Sequence, residues 1–392
     1  MATITLASPD NPEGRRAIPI YLYVTVLSSL SIMVGLIWDI SWHMSIGRDG
    51  LFSAPHLAIY LGGVTAGIFS GFNVLKITFA GTQEEKNSSV KFWGIFYGSL
   101  GNLFCIWGAI AMLTSAPFDD WWHNTYGLDV TILSPPHTVL LLGMITIQFG
   151  AIISVLAYQN LGSETRSLSS TKSFNVLYAL SSGFVLGMIY TMASEYLGRH
   201  EMHGVFFYQI SSLLFPLLLT AFSMSSKSKW GATQACLVYS LLMMAMGWIL
   251  PLFPAVPRLG PVLNPVTTFQ PFDFPLLIIF PAIGIDLITQ RCGNLNRWLL
   301  ALVFGVCFFI VFIAVQWPLA NMLMASKGHW FFGTSKWYFG SDPNWEYRYA
   351  FPPWQLNSLK EWAIGSLVAL LIATLSSRVG INWGNWLKRI VR

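Results

Sequence analysis

Apolar and polar positions alternate along this chain in blocks rather than in the short periods of a soluble helix or strand. Ten apolar runs are long enough, or nearly so, to cross a bilayer as helices: approximately 19–40, 56–79, 92–115, 136–158, 173–194, 204–224, 231–253, 274–290, 297–323 and 361–379. The eighth is the shortest. The pattern predicts an all-α, polytopic membrane bundle of about ten transmembrane helices. Residues 1–18 carry Pro9, Pro12 and Gly14 and read as a disordered tail. No small-residue cleavage site follows Arg15 and Arg16, so the first run is expected to stay as an uncleaved span.

Composition agrees with the pattern. Of 392 residues 54% are hydrophobic and 10% charged, and the mean hydropathy is +0.57; soluble domains carry about 25% charged residues. The net charge of +5 does not point to nucleic acid, because the basic residues are scattered over short loops. With ten spans, 15 of the 22 lysines and arginines fall on the side of the N-terminus and seven on the other. The positive-inside rule then puts both termini in the cytoplasm, with the chain in the cytoplasmic (inner) membrane. All seven histidines fall on the opposite face. Cys105, Cys236, Cys292 and Cys307 form no CxxC and lie in or at the edge of apolar runs, so neither a disulfide framework nor a thiolate site is expected.

Candidate chemistry sits at the ends of the first two helical hairpins. Asp39 and His43 are four residues apart, one face of a helix, and His56 follows 13 residues later across a Gly-containing loop. Asp119, His123 and His137 repeat this with offsets of 4 and 14. The hairpins 19–79 and 92–158 therefore read as two parallel repeats with a motif at each outer end. Two imidazoles and a carboxylate make a three-ligand site with open positions, suited to copper, zinc or non-haem iron. The alternative is a set of interfacial polar residues capping helix ends within a tryptophan belt.

The segment D-x-x-W-H-M-x-x-x-R-D-x-x-F-S-x-x-H, from Asp39 to His56, resembles the C subunit of the copper membrane monooxygenases, the particulate methane and ammonia enzymes. The resemblance covers residues 19–160. It implies one copper site at Asp39, His43 and His56 and a neighbouring one at Asp119, His123 and His137, where the methane enzymes have Asn in place of Asp119. Spans five to ten have no recognised counterpart, and no cupredoxin-like domain such as the family's B subunit carries is seen. The implied function is oxygen-dependent hydroxylation of a small substrate at the outer face, by this chain or by an assembly containing it. Implied partners are other monooxygenase-like subunits, a periplasmic copper or electron donor, or further copies of this chain. The rival classes are a non-catalytic copper or zinc binding or transfer protein and a secondary transporter. The acting catalytic residues are not identified.

Further residues have two readings each. Arg48 and Asp49 would orient the first set of ligands or form a surface ion pair; Asp120 and Asp129 flank the second set, and Asp120 is a rival to Asp119. Glu195, His200, Glu201 and His203, in the loop after the fifth span with Arg199, would supply ligands or shuttle protons, or only pair with one another. Asp286 would be a proton relay or would snorkel toward Arg291. Gly63, Gly67 and Gly71 form a small-residue stripe expected to pack on a neighbouring helix, the fourth span. The module 161–379 contains an aromatic outer loop at 324–360, expected to dock as a lid, and 380–392 reads as a basic interfacial tail.

Overall fold

The computed structural model describes residues 18–47, 50–127, 134–160, 168–325 and 338–391. Arg48, Asp49, Asp129, His329 and the N-terminal tail lie outside them. The chain is a helical membrane bundle. Its long helices are α1 (Ile20–Ser45), α2 (Ala54–Ala80), α4 (Leu100–Tyr126), α5 (Pro135–Asn160), α6 (Leu168–Met192), α7 (Val205–Ser225), α8 (Gly231–Ile249), α10 (Arg297–Met324) and α11 (Leu359–Leu387). Nine helices among the described residues are long and apolar enough to cross a membrane, one fewer than the ten runs. The described residues also form two shorter α-helices, α3 (Gln83–Asn87) and α9 (Ile279–Cys292), and several single 3-10 turns.

The run that forms no long helix is the eighth, although it still passes from Gln270, beside Ser41 near the end of α1, to Asp286, beside the start of α8. At about 1.5 Å per residue, α9 is only about 21 Å long, too short for a hydrocarbon core of about 30 Å. Residues 270–277 enter the bundle without regular secondary structure, ahead of it. Their backbone polar groups are met by side chains. Ser41 Oγ donates to the Gln270 carbonyl at 2.5 Å, and the Gln270 amide donates to Ser45 Oγ at 2.7 Å. Tyr190 Oη donates to the Phe274 carbonyl at 3.3 Å. The Leu276 and Leu277 amides donate to Tyr239 Oη and Gln316 Oε1, both at 3.0 Å. Non-helical backbone at membrane depth is tolerated only when protein satisfies it in this way.

Local chemistry sets several boundaries. The run at 92–115 does not begin as a helix, because Trp93 (φ 48°) and Gly94 (φ 72°) turn the chain. They close an antiparallel hairpin of β1 (Val90–Phe92) and β2 (Phe96–Gly98), and α4 starts only after Ser99, whose hydroxyl accepts from the Asn102 amide. Segment 380–387 is no separate interfacial tail. It forms the last two turns of α11, where Gly384 packs against Ala221 and Met224 of α7.

The first four spans pack as two hairpins. Helices α4 and α5 meet at Gly108 and Gly143, where a methyl group on either would lie within 2.8 Å of the other's carbonyl oxygen. The glycine stripe of α2 meets α4, the third span rather than the expected fourth. Gly63 faces Met112, Gly67 faces Ala109, and Gly71 faces open space. Position rises on α2 as it falls on α4, so these two helices are antiparallel.

Asp286 is not a snorkelling residue. It is fully buried, and its carboxylate accepts from the Ala232 amide (3.3 Å), the Thr233 amide (2.8 Å) and Thr233 Oγ1 (2.7 Å). It thereby caps α8 from a neighbouring helix.

Candidate metal centres

Helix α1 outlasts its apolar run by about a turn, and this extension carries His43 on the same face as Asp39, which lies one turn before it. After the connection, Ser53 stands at the N-cap of α2 and Pro55 in its first turn, a position that needs no amide hydrogen. His56 comes next. The second hairpin uses the same start, with Ser134, Pro135, Pro136 and His137 opening α5. The shared signal is S-x-P-H, a helix start that aims an imidazole back across the turn. It adds Ser53, Pro55, Ser134 and Pro136 to the motif legible in the sequence.

In the first triad, His56 Nε2 lies 3.3 Å from Asp39 Oδ1 and His43 Nε2 lies 3.8 Å from Asp39 Oδ2. In the second, His137 Nε2 and His123 Nε2 lie 3.3 and 3.5 Å from the same oxygen, Asp119 Oδ1. Two ligand atoms held tetrahedrally about 2.1 Å from one ion are about 3.4 Å apart, so these separations fit a shared ion. Among the described residues, Asp119, His123 and His137 are the one set of three whose ligand atoms all lie within 4.8 Å of each other. The first triad is more open and is joined through Asp39.

Hydrogen bonding fixes which ring nitrogens can serve. His56 Nδ1 is 3.1 Å from the Gly50 carbonyl, and His123 Nδ1 is 3.2 Å from the Gly127 carbonyl. A carbonyl only accepts, so Nδ1 carries the proton in each ring, and in the neutral ring Nε2 holds a lone pair. Both Nε2 atoms therefore point lone pairs at carboxylate oxygens. Asp39 Oδ1 and Asp119 Oδ1 are themselves buried and accept no hydrogen bond. Acceptor facing acceptor is stable only with a positive charge between them, either a metal ion or a second proton on the imidazole. The donor set thus fits a metal.

Asp119 is the residue turned to the histidines. Its exposed neighbour Asp120 instead accepts from Asn124 Nδ2 at 3.3 Å. Counting seven residues back along α2 from Gly63 gives His56, and seven onward along α4 from Met112 gives Asp119. With α2 and α4 antiparallel, the two triads lie at one depth.

The four polar residues after α6 do not converge on one ion. Glu195 is exposed. His203 is stacked between Trp317 and Phe351, with ring centroids 3.9 and 3.8 Å away, and its Nε2 meets the Trp317 carbonyl at 3.3 Å. His200 and Glu201 instead line a separate cavity with the segment after residue 338. Burial and the nearby Arg199 push His200 down to about 4, and burial pushes Glu201 up to about 7. Arg199 is buried, and burial lowers it from its ordinary value while the charge of Asp273 opposes that shift. Asp273 gives no sequence signal, since it sits in an apolar segment far along the chain.

The described part of the aromatic loop docks onto the same end of the bundle. The Phe339 amide donates to the Met44 carbonyl at 3.4 Å, and the Phe339 carbonyl accepts from the Leu263 and Asn264 amides at 3.0 and 2.9 Å. Its ring packs over Gly47, whose φ of +84° and crowding by Phe339 and Leu259 leave no room for a side chain. Comparison of the chain with protein-family models, curated proteins and solved structures gives no match.

Proposed function

We propose that this protein holds copper in two Asp-His-His sites on the extracytoplasmic face of the inner membrane, and that it acts as an oxygen-dependent hydroxylase, or as a subunit of one, on a small substrate. One observation carries the metal reading: an imidazole whose Nδ1 is committed to a backbone carbonyl aims Nε2 at a buried carboxylate oxygen, and the arrangement occurs in both hairpins. Asp39, His43 and His56 would hold one ion, and Asp119, His123 and His137 the other. Bound copper would supply a redox-active Lewis acid with open positions for oxygen. The chain's own part is to fix the tautomers through Gly50 and Gly127, to keep both carboxylates aimed, and to bring the sites to one depth.

The copper and hydroxylase parts of this reading rest on the Asp39–His56 motif and its resemblance to the copper membrane monooxygenases. An apolar cavity of about 780 Å3 adds support. It lies between α1 and α8 and is lined by Trp38, Trp42, Met246 and Phe253 among others. Positions 38 and 42 precede 39 and 43 by one residue, about 100° around α1, so the cavity flanks the face that bears the first triad. Such a space suits a small apolar substrate arriving through the bilayer. Electrons would come from a separate donor.

The exposure of His43, whose side chain is 48% accessible, favours a second reading, in which the first site takes up and hands on its ion without catalysis. Metal analysis of the full chain in mild detergent, with electron paramagnetic resonance, tests the common part. Two copper equivalents per chain, with the Cu(II) signal of nitrogen and oxygen ligands, are expected. Oxygen uptake by the copper-loaded protein with a reductant then separates catalysis from transfer.

A further inference from the structure

The cavity that takes in His200 and Glu201 has a composition unlike that of either triad. It measures about 430 Å3 and is lined by three aromatic residues, Tyr338, Trp345 and Trp354, and two carboxylates, Glu201 and Asp342. Among the described residues no lysine or arginine lines it. Arg199, next to His200 in sequence, is buried and does not line it, and Arg348 turns its guanidinium to the Pro343 carbonyl (3.2 Å) and the Tyr349 ring (5.6 Å). The aromatic residues are held in place. Tyr347 meets the Trp354 ring edge-on at 5.1 Å and the Trp345 ring at 5.9 Å, while His200 braces Trp345 at 5.0 Å. Glu201 Oε2 is buried and makes no hydrogen bond.

We propose that this cavity binds a small alkylated ammonium ion, with its charge against Glu201 and its alkyl groups against Trp345, Trp354 and Tyr338. The aromatic faces carry negative potential and favour a cation clad in methyl or methylene groups, and His200, Glu201 and Asp342 are not gathered closely enough to replace the water shell of a metal ion. An anion would meet two carboxylates. A neutral guest would leave the buried Glu201 oxygen without a charge partner. Arrival of a cation would also favour the ionised form of Glu201, which burial disfavours in the empty cavity. This site is independent of the metal centres.

The test is a tryptophan-fluorescence titration of the full chain in maltoside detergent, with choline and with its uncharged isostere 3,3-dimethylbutan-1-ol. Saturable binding of choline at least tenfold tighter than of the alcohol is expected. Glu201→Gln and Trp354→Ala should each weaken choline at least tenfold while the thermal transition of the protein remains cooperative. Equal responses to choline and the alcohol, no saturation with choline, or unchanged affinity in both variants would overturn the proposal. Reconstitution separates two sources of such a cation. A lipid headgroup would pre-empt the choline response in phosphatidylcholine vesicles but not in phosphatidylglycerol vesicles, whereas a free solute would elicit it in both.

Discussion

His56 Nε2 lies 3.3 Å from Asp39 Oδ1, while the other nitrogen of the same ring is tied to the Gly50 carbonyl at 3.1 Å. The ring is thus oriented by one side of a loop and aimed at a helix on the other. If an ion sits between His56 and Asp39, His43→Ala and His56→Ala should each lower the metal content by about one equivalent per chain. Neither should prevent insertion, because the helices are held by interhelical packing. Inductively coupled plasma mass spectrometry on the purified variants reads this directly, and an unchanged content in both would exclude the first site.

The second triad makes a sharper distinction. Asp119 Oδ1 faces both His123 and His137, whereas Asp120 is bonded to Asn124. Asp119→Asn should weaken the second site about tenfold or more and spare the first. Asp120→Asn should leave both affinities within about twofold. Equilibrium metal titration with a competing chelator measures each constant; a loss at Asp120 instead of Asp119 would reverse the ligand assignment.

Glu201 carries a pH signature. Its folded value of about 7 stands above the ordinary 4.5, so between these pH values the folded state binds more protons than the unfolded one. Stability contributed at this residue therefore falls as pH rises from about 4.5 to 7. Glu201→Gln removes the titration. The variant should gain melting temperature relative to the parent at pH 7.5 and lose most of that gain at pH 4.5. Thermal scans in detergent at the two pH values decide it, and equal differences at both would contradict the sign.

Asp286 should behave as a helix cap. Its carboxylate meets two amides and a hydroxyl at the start of α8. Asp286→Ala is expected to cost about 1–3 kcal/mol through the lost cap and the buried groups left unpaired. Arg291→Ala, at an exposed position, should stay within about 0.5 kcal/mol. Comparable losses in the two variants would restore the snorkelling account.

Topology is open to labelling. With Cys105, Cys236, Cys292 and Cys307 replaced, a cysteine at exposed Asn344 should react with an impermeant maleimide on intact cells, and one at exposed Lys388 only after permeabilisation. The reverse pattern would move both triads to the cytoplasmic face.

Much of the fold was legible because a bilayer leaves few choices. Long apolar runs must become helices, and nine did so, most with ends near those expected, although α4 is shifted by about eight to eleven residues and α11 ends eight residues later. The triad ligands were legible because a spacing of four fixes one helix face whatever surrounds it, and because the pattern occurs twice. Other features depended on contacts between distant segments. The eighth run became a non-helical entry plus a short helix, since Tyr190, Tyr239 and Gln316, on three other helices, could satisfy its backbone. The choice of Asp119 over Asp120 required the direction in which each side chain leaves α4. The partner of Asp286 proved to be the start of α8, more than fifty residues earlier in the chain. The aromatic loop could be recognised as too apolar for free solution, but that Trp345 and Trp354 share a cavity with Glu201 follows only from how the chain closes over itself. Local periodicity and hydropathy act through neighbours in sequence; registry, capping between helices and cavity lining act through neighbours in space.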